Sequence, residues 1–151
     1  MTNQENMLKQ LQRYYSLWKE SNMMYEEWAK TQGLSSNGVL VLYSFYDNNE
    51  PCTQKSISQK WSIPKQTVNT ILKDFTRHDY IEMISMPEDK RNKLLQLTPA
   101  GKEFADTVIK KLCNKEMYVM EKMGLDSITS MNDNLELFIN LFNNGGLNEH
   151  E

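Results

Sequence analysis

The chain has 151 residues, 39% of them hydrophobic and 25% charged, and a net charge of −3. That is apolar enough for one compact core and too evenly mixed for a disordered, fibrous or membrane-embedded chain. No run of about 18 apolar residues suggests a membrane span, and the polar opening MTNQENMLKQLQ lacks the basic-then-apolar layout of a secretory signal, so a cytoplasmic location is expected.

From about Glu5 to Thr31, apolar residues recur at Leu8, Leu11, Tyr15, Trp18, Tyr25 and Trp28, the spacing of a helix face. A second stripe of Tyr14, Leu17, Met24 and Trp28 lies beside it. One neighbour cannot cover a helix this broadly apolar, so part of it is expected to face another element or another subunit. Gly33 is a stop signal and Ser35 or Ser36 an N-cap for a buried helix through Val39, Leu40, Leu42, Tyr43 and Phe45. Turn chemistry at Asp47-Asn48-Asn49-Glu50-Pro51 ends it.

Thr53 stands where an N-cap belongs, and Ile57 and Trp61 follow four apart on one face. Ser62-Ile63-Pro64 makes a turn, because the residue before proline is pushed out of the helical region while proline suits a helix start. With Pro64 as N-cap, Ile63 and Val68 form a hydrophobic staple. In the second helix Val68, Ile71, Leu72 and Phe75 point inward, leaving Lys65, Gln66, Asn69, Thr70, Lys73 and Arg77 outside. Amides, hydroxyls and cations with no carboxylate before Asp74 suit phosphate oxygens and base edges in a major groove. Thr67, Asn69 and Thr70 are poor choices for an exposed helix on propensity alone.

Tyr80–Met86 and Lys93–Thr98 read as two strands joined by a six-residue loop, Pro87 to Asn92, with Lys90 and Arg91 at its tip, Lys93 just behind, and Asp89 placed to brace Arg91 by an ion pair. Such a cationic loop can lie along a phosphate backbone or enter a minor groove. Thr98-Pro99 restarts a helix that keeps its spacing through Phe104, Val108, Leu112, Val119 and Met123 to Gly124. A last helix carries Ile128, Met131, Leu135, Phe138 and Phe142 and ends at Asn143-Asn144-Gly145-Gly146, with frayed residues after it.

Charge is unevenly divided. Thr53 to Lys102 holds nine Lys/Arg against five Asp/Glu, whereas the rest of the chain holds eight against fifteen. The basic middle could therefore approach phosphates while the flanks are repelled from a duplex. Cys52 and Cys113 form neither a C-x-x-C pair nor a disulfide framework, and only His78 and His150 could join them, so no metal and no cofactor is expected. No Ser/His/Asp set, carboxylate pair or glycine-rich phosphate loop is present, so an enzyme is not expected.

Two short amphipathic helices, a tight turn and a basic hairpin are the plan of a winged helix-turn-helix. The segment resembles the MarR family of bacterial transcriptional regulators in this motif, in the LKDFTRHDYI run (Leu72 to Ile81), in the wing motif DKR (Asp89 to Arg91) and in the LQLTPAGKEF return (Leu95 to Phe104). Asp79 departs from the pattern, standing where the family usually has glycine. The resemblance implies a mainly α fold with a small antiparallel β-hairpin wing: one unit over residues 1–151, a DNA-binding lobe at about 35–98, and dimerisation helices at about 5–32 and 99–144. It further implies a homodimer reading a pseudo-palindromic site on double-stranded DNA. Lys55, Lys65, Gln66, Thr67, Asn69, Thr70, Lys73, Lys90, Arg91 and Lys93 are the expected contacts, with Asp89 and Arg91 the wing pair. A repressor relieved by a small aromatic effector is the leading expectation, with Tyr14, Tyr15, Trp18, Met23, Met24 and Tyr43 as pocket candidates. A redox-responsive regulator using Cys52, at the start of the Thr53 helix, and a winged-helix protein-interaction module that does not bind DNA remain the alternatives.

Overall fold

The computed structural model describes residues 1–46 and 51–145, apart from the side chain of Lys90. Of the turn expected at Asp47 to Pro51, residues 47–50 lie outside the described residues, as do Gly146 and the frayed residues expected after it. The elements are α1 (Asn3–Thr31), α2 (Ser36–Tyr43) running into a 3-10 turn (Ser44–Tyr46), α3 (Gln54–Trp61), α4 (Lys65–Arg77), β1 (Ile81–Met86), β2 (Asp89–Leu97), α5 (Pro99–Met123) and α6 (Leu125–Asn144). Two compact units divide them at residues 109 and 110, within α5. No helix of the described residues is long and apolar enough to cross a membrane.

In the first unit, α1 begins with a capping box between Thr2 and Glu5. It ends at Gln32 and Gly33, the latter at φ 75, a left-handed position that glycine occupies without strain. Of its 29 residues only Ala29 is buried, and Trp28 packs against the core from its edge. The joint to α2 is polar: the Glu26 carboxylate accepts from the Ser36 backbone N–H at 3.1 Å and from its hydroxyl at 2.5 Å. Ser35 is the N-cap, accepting from Gly38 N–H at 3.0 Å. Val39, Val41 and Leu42 of α2 are buried, but Tyr43, expected inside, is 46% exposed. An eight-residue helix has room for only one inward face, and Val41 and Leu42 fill it.

The core gathers Val41, Leu42, Ile57, Ile63, Val68, Leu72, Phe75, Ile81, Leu95, Ala105 and Val108, so α2 to α5 and both strands contribute to one apolar centre. The wing is a single antiparallel pair in the register Ile81↔Leu97 to Ile84↔Leu94, with a third edge supplied by the chain before α3. There Leu95 N–H donates to Cys52 O at 2.8 Å and Thr53 pairs with Leu94.

At the base of the wing, α4 gives way to β1 through Asp79, whose φ of 58 is the left-handed conformation its place in the sequence predicts. Thr98 closes the other strand. Its hydroxyl donates to Asp79 O at 2.6 Å and accepts from Gly101 N–H at 2.9 Å, while its N–H donates to Tyr80 O at 3.0 Å. A β-carbon on Gly101 would lie 1.8 Å from Tyr80 O, so only glycine fits where α5 crosses the strand. The Tyr80 ring stacks on Phe104 with centroids 4.5 Å apart. Further along α5, Asp106 accepts from the Tyr46 hydroxyl and pairs with Lys102 at 3.0 Å. Burial, and then this bond, push the Tyr46 phenol up to about 12, and the same bond and Lys102 hold Asp106 below the usual carboxylate range.

In the second unit, most apolar residues at the end of α5 and along α6 are exposed. Met117, Tyr118, Val119, Met120 and Met123 are exposed on α5, and α6 buries none of its residues. Met131, Leu135, Phe138 and Phe142 mark a continuous stripe along it at steps of three and four.

Two outcomes follow from these contacts. Gly101→Ala should lower stability by about 1–3 kcal/mol, because the methyl forces α5 off Tyr80; an unchanged urea midpoint would contradict the close approach. Glu26, held below its ordinary value of 4.5 chiefly by the Ser36 hydroxyl, stabilises the fold above that value and loses the effect as pH falls through the depressed one. Glu26→Gln should therefore lower the melting temperature at neutral pH, and the gap from wild type should close below about pH 4.5.

Candidate nucleic-acid interface

Four local devices set the angle of α4. Thr53 and Ser56 form a capping box at the start of α3, with bonds of 3.0 and 2.9 Å. Ser62 ends α3 in the left-handed conformation at φ 52, and the buried Ser58 hydroxyl donates to Ile63 O at 2.6 Å. Pro64 then caps α4 without a side-chain bond, while Ile63 and Val68 are both buried, as a staple requires. Gln54 ties the starts of the two helices together by donating to Lys65 O at 3.2 Å.

With Val68, Leu72 and Phe75 locked inward, the opposite face is fixed. Gln66, Asn69, Thr70, Lys73 and Arg77 follow one another at i, i+3, i+4, i+7 and i+11, a single outward stripe. Lys65, Gln66, Thr70 and Lys73 are exposed, Asn69 half-buried. Thr67 stands one position out of phase and is half-buried at the flank of the helix. The Thr70 hydroxyl donates to Gln66 O at 3.0 Å, and Arg77 is engaged by Asp74 at 2.8 Å. Lys65 and Lys73 take part in none of the ion pairs of the described residues. Lys55 is exposed on α3.

The wing differs from its expected outline. The turn is two residues, Pro87-Glu88, and Lys90, Arg91 and Asn92 belong to β2 rather than to a loop tip. Their polarity suggests a loop, but the pairs Met86↔Asp89 and Ile84↔Leu94 on either side carry them within the strand. Its register is irregular where the cations sit. Between the pairs Ile84↔Leu94 and Met86↔Asp89, one β1 residue, Ser85, faces the four residues 90–93 of β2. Lys90, Arg91 and Lys93 thus occupy an excursion from the ladder, with Arg91 and Lys93 exposed. Asp89 accepts a hydrogen bond from the Arg91 backbone N–H at 3.1 Å. The carboxylate expected to pair with the guanidinium instead orders the strand at the start of that excursion.

Between α4 and β1 runs an open groove of about 520 Å³ lined by Thr70, Lys73, Thr76, Arg77 and Met83. Sequence periodicity places the α4 residues but could not bring Met83 to them, because that depends on how the wing folds back. The six residues expected to line an effector pocket, Tyr14, Tyr15, Trp18, Met23, Met24 and Tyr43, are all exposed in the single chain. Tyr43 meets Trp61 edge-on at 6.1 Å, and the Trp61 indole donates to Ser44 at 2.7 Å. Cys52 is half-buried beside the Thr53 cap, and Cys113 is exposed on α5. Among the described residues no group of three His, Cys, Asp or Glu could hold a metal ion.

Residues 34–101 match the winged helix DNA-binding domain family. An HTH-type transcriptional regulator of Staphylococcus aureus is 30% identical over 95 residues, which span 63% of this chain and 62% of that relative's length. The solved structure of a MarR family regulator from Neisseria meningitidis, NMB1585, is 28% identical and superposes with a TM-score of 0.71 over 91% of this chain and 94% of that one. The fold is also that of Staphylococcus aureus MepR, solved in complex with DNA, at 16% identity and a TM-score of 0.68 over 85% of this chain and 94% of that one. With the turn, the staple, the wing and the Thr98–Gly101 junction in place, residues 34–101 form a winged helix DNA-binding domain, and the chain is similar in sequence and fold to solved MarR family regulators.

Proposed function

We propose that the protein is a dimeric, sequence-specific DNA-binding repressor. The observation that carries the reading is the outward stripe of α4, four polar or cationic residues from Gln66 to Lys73 at helical spacing, beside a wing whose cations leave the ladder. Gln66, Asn69 and Thr70 have the donors and acceptors to read base edges in a major groove. Lys55, Lys65, Lys73, Lys90, Arg91 and Lys93 supply phosphate contacts, and Thr67 supports the helix start from its flank.

The apolar surface at both ends of the chain supports the dimeric reading. Monomeric proteins rarely leave continuous stripes such as Met131-Leu135-Phe138-Phe142 in water, and α1 offers a second such surface. A twofold dimer would present two α4 helices to half-sites one helical turn apart. The same α1 surface, rich in Tyr, Trp and Met around Tyr14, Tyr15, Trp18, Met23 and Met24, with Tyr43 on α2, suits a small aromatic effector that releases DNA.

Sequencing genomic fragments selected by the purified protein tests the central reading; recovery of no enriched, salt-sensitive site would refute it. On the enriched site Asn69→Ala should weaken binding by about 1–3 kcal/mol, and Arg91→Ala should reduce the salt slope by about 0.9. Light scattering should return twice the chain mass of 17.8 kDa, and Leu135→Glu should return the chain mass itself. Phenolic compounds added to the binding assay should release the DNA, an effect lost in Trp18→Ala.

A further inference from the structure

Asp74 is the first carboxylate on α4, and it stands among the cations of the helix's outer face. Arg77 donates to its Oδ1 at 2.8 Å, with the two side chains 76% and 44% exposed. His78, the C-cap, places its Nδ1 at 2.8 Å from the Asp74 carbonyl and 3.8 Å from its carboxylate. Arg77 and Lys73, one turn apart, also line the groove between α4 and β1. Little of this serves stability. An exposed pair contributes weakly, and a carboxylate near the C-terminal end of a helix meets the unfavourable end of the helix dipole.

The geometry points to Asp74 as the residue that limits sequence-independent attraction to DNA, by occupying the Arg77 guanidinium before a phosphate can. This rests on the DNA-binding reading above. A phosphate contact is sequence-independent and draws its strength from counterion release. For Arg77 to make one, it must leave a carboxylate at hydrogen-bond distance, and that carboxylate then faces the phosphate uncompensated. Gln66, Asn69 and Thr70, which address base edges, are not engaged by Asp74 in this way. The chain thus carries a cation at the groove whose attraction to any duplex is muted, which matters because a genome offers a vast excess of wrong sites.

The test uses the full chain and a short duplex of random sequence, titrated over a range of KCl, with wild type, Asp74→Asn, Arg77→Ala and the double variant. Asp74→Asn should bind about fivefold tighter, with a salt slope steeper by about 0.9, and Asp74→Ala should do the same. In the Arg77→Ala background the substitution should give no gain. Unchanged affinity in Asp74→Asn overturns the inference, and so does a gain that persists without Arg77, since the carboxylate would then act only through its bulk charge. Absence of salt-dependent binding by wild type to any duplex, selected genomic fragments included, would overturn the function reading with it.

Discussion

Where α5 crosses the first wing strand, the backbones at Gly101 and Tyr80 approach so closely that no β-carbon fits between them. This contact, with the two bonds of the Thr98 hydroxyl, joins the end of α4, both wing strands and the start of α5 at one point. The hydroxyl does two opposed things at once: it donates to the carbonyl of a residue in a left-handed turn and accepts from a helix N–H that would otherwise have no partner. Together with the pairing of Leu94 and Leu95 to the chain before α3, this junction holds the wing relative to α4. The stack of Tyr80 on Phe104 then clamps the same crossing from its apolar side.

The helix-turn-helix depends on a comparable economy of parts. Ser62 reverses the chain in a conformation costly for most residues, and the Ser58 hydroxyl satisfies Ile63 O from inside the protein. The buried staple of Ile63 and Val68 lets Pro64 start α4 without a side-chain cap. A backbone held this way fixes which side chains stand on the outer face of α4, from Gln66 to Lys73.

Much of this was legible in the sequence because it is written in local chemistry. Thr53, Ser35 and Thr98 act as caps, Gly33 stops α1, Asp79 takes the left-handed turn, and Val68, Leu72 and Phe75 face inward, each for a reason visible within a few residues. What was not legible depends on pairing between segments. The residues Asp89 to Asn92 look like a loop by composition, and they fall within β2 because the pairs Met86↔Asp89 and Ile84↔Leu94 flank them. Tyr43 looked buried because its neighbours are apolar, yet the orientation of α2 leaves it facing outward against Trp61. Met83 gave no signal at all; only the folding back of the wing brings it beside Lys73. The aromatic and methionine residues of α1 were recognisable as surplus apolar surface, but a single chain cannot show what covers them.

The excursion of β2 opposite Ser85 separates two properties of the wing that a regular hairpin would couple. Below it, the pairs Ile81↔Leu97 to Ile84↔Leu94 hold the inward side chains in register with the core, and above it Met86↔Asp89 closes the turn. Residues added to or removed from positions 90–93 would therefore change how far the cationic segment reaches without shifting any buried side chain to the wrong face. That makes this segment a place where the chain can lengthen or shorten, and the reach of its cations change, while the fold that carries it is preserved.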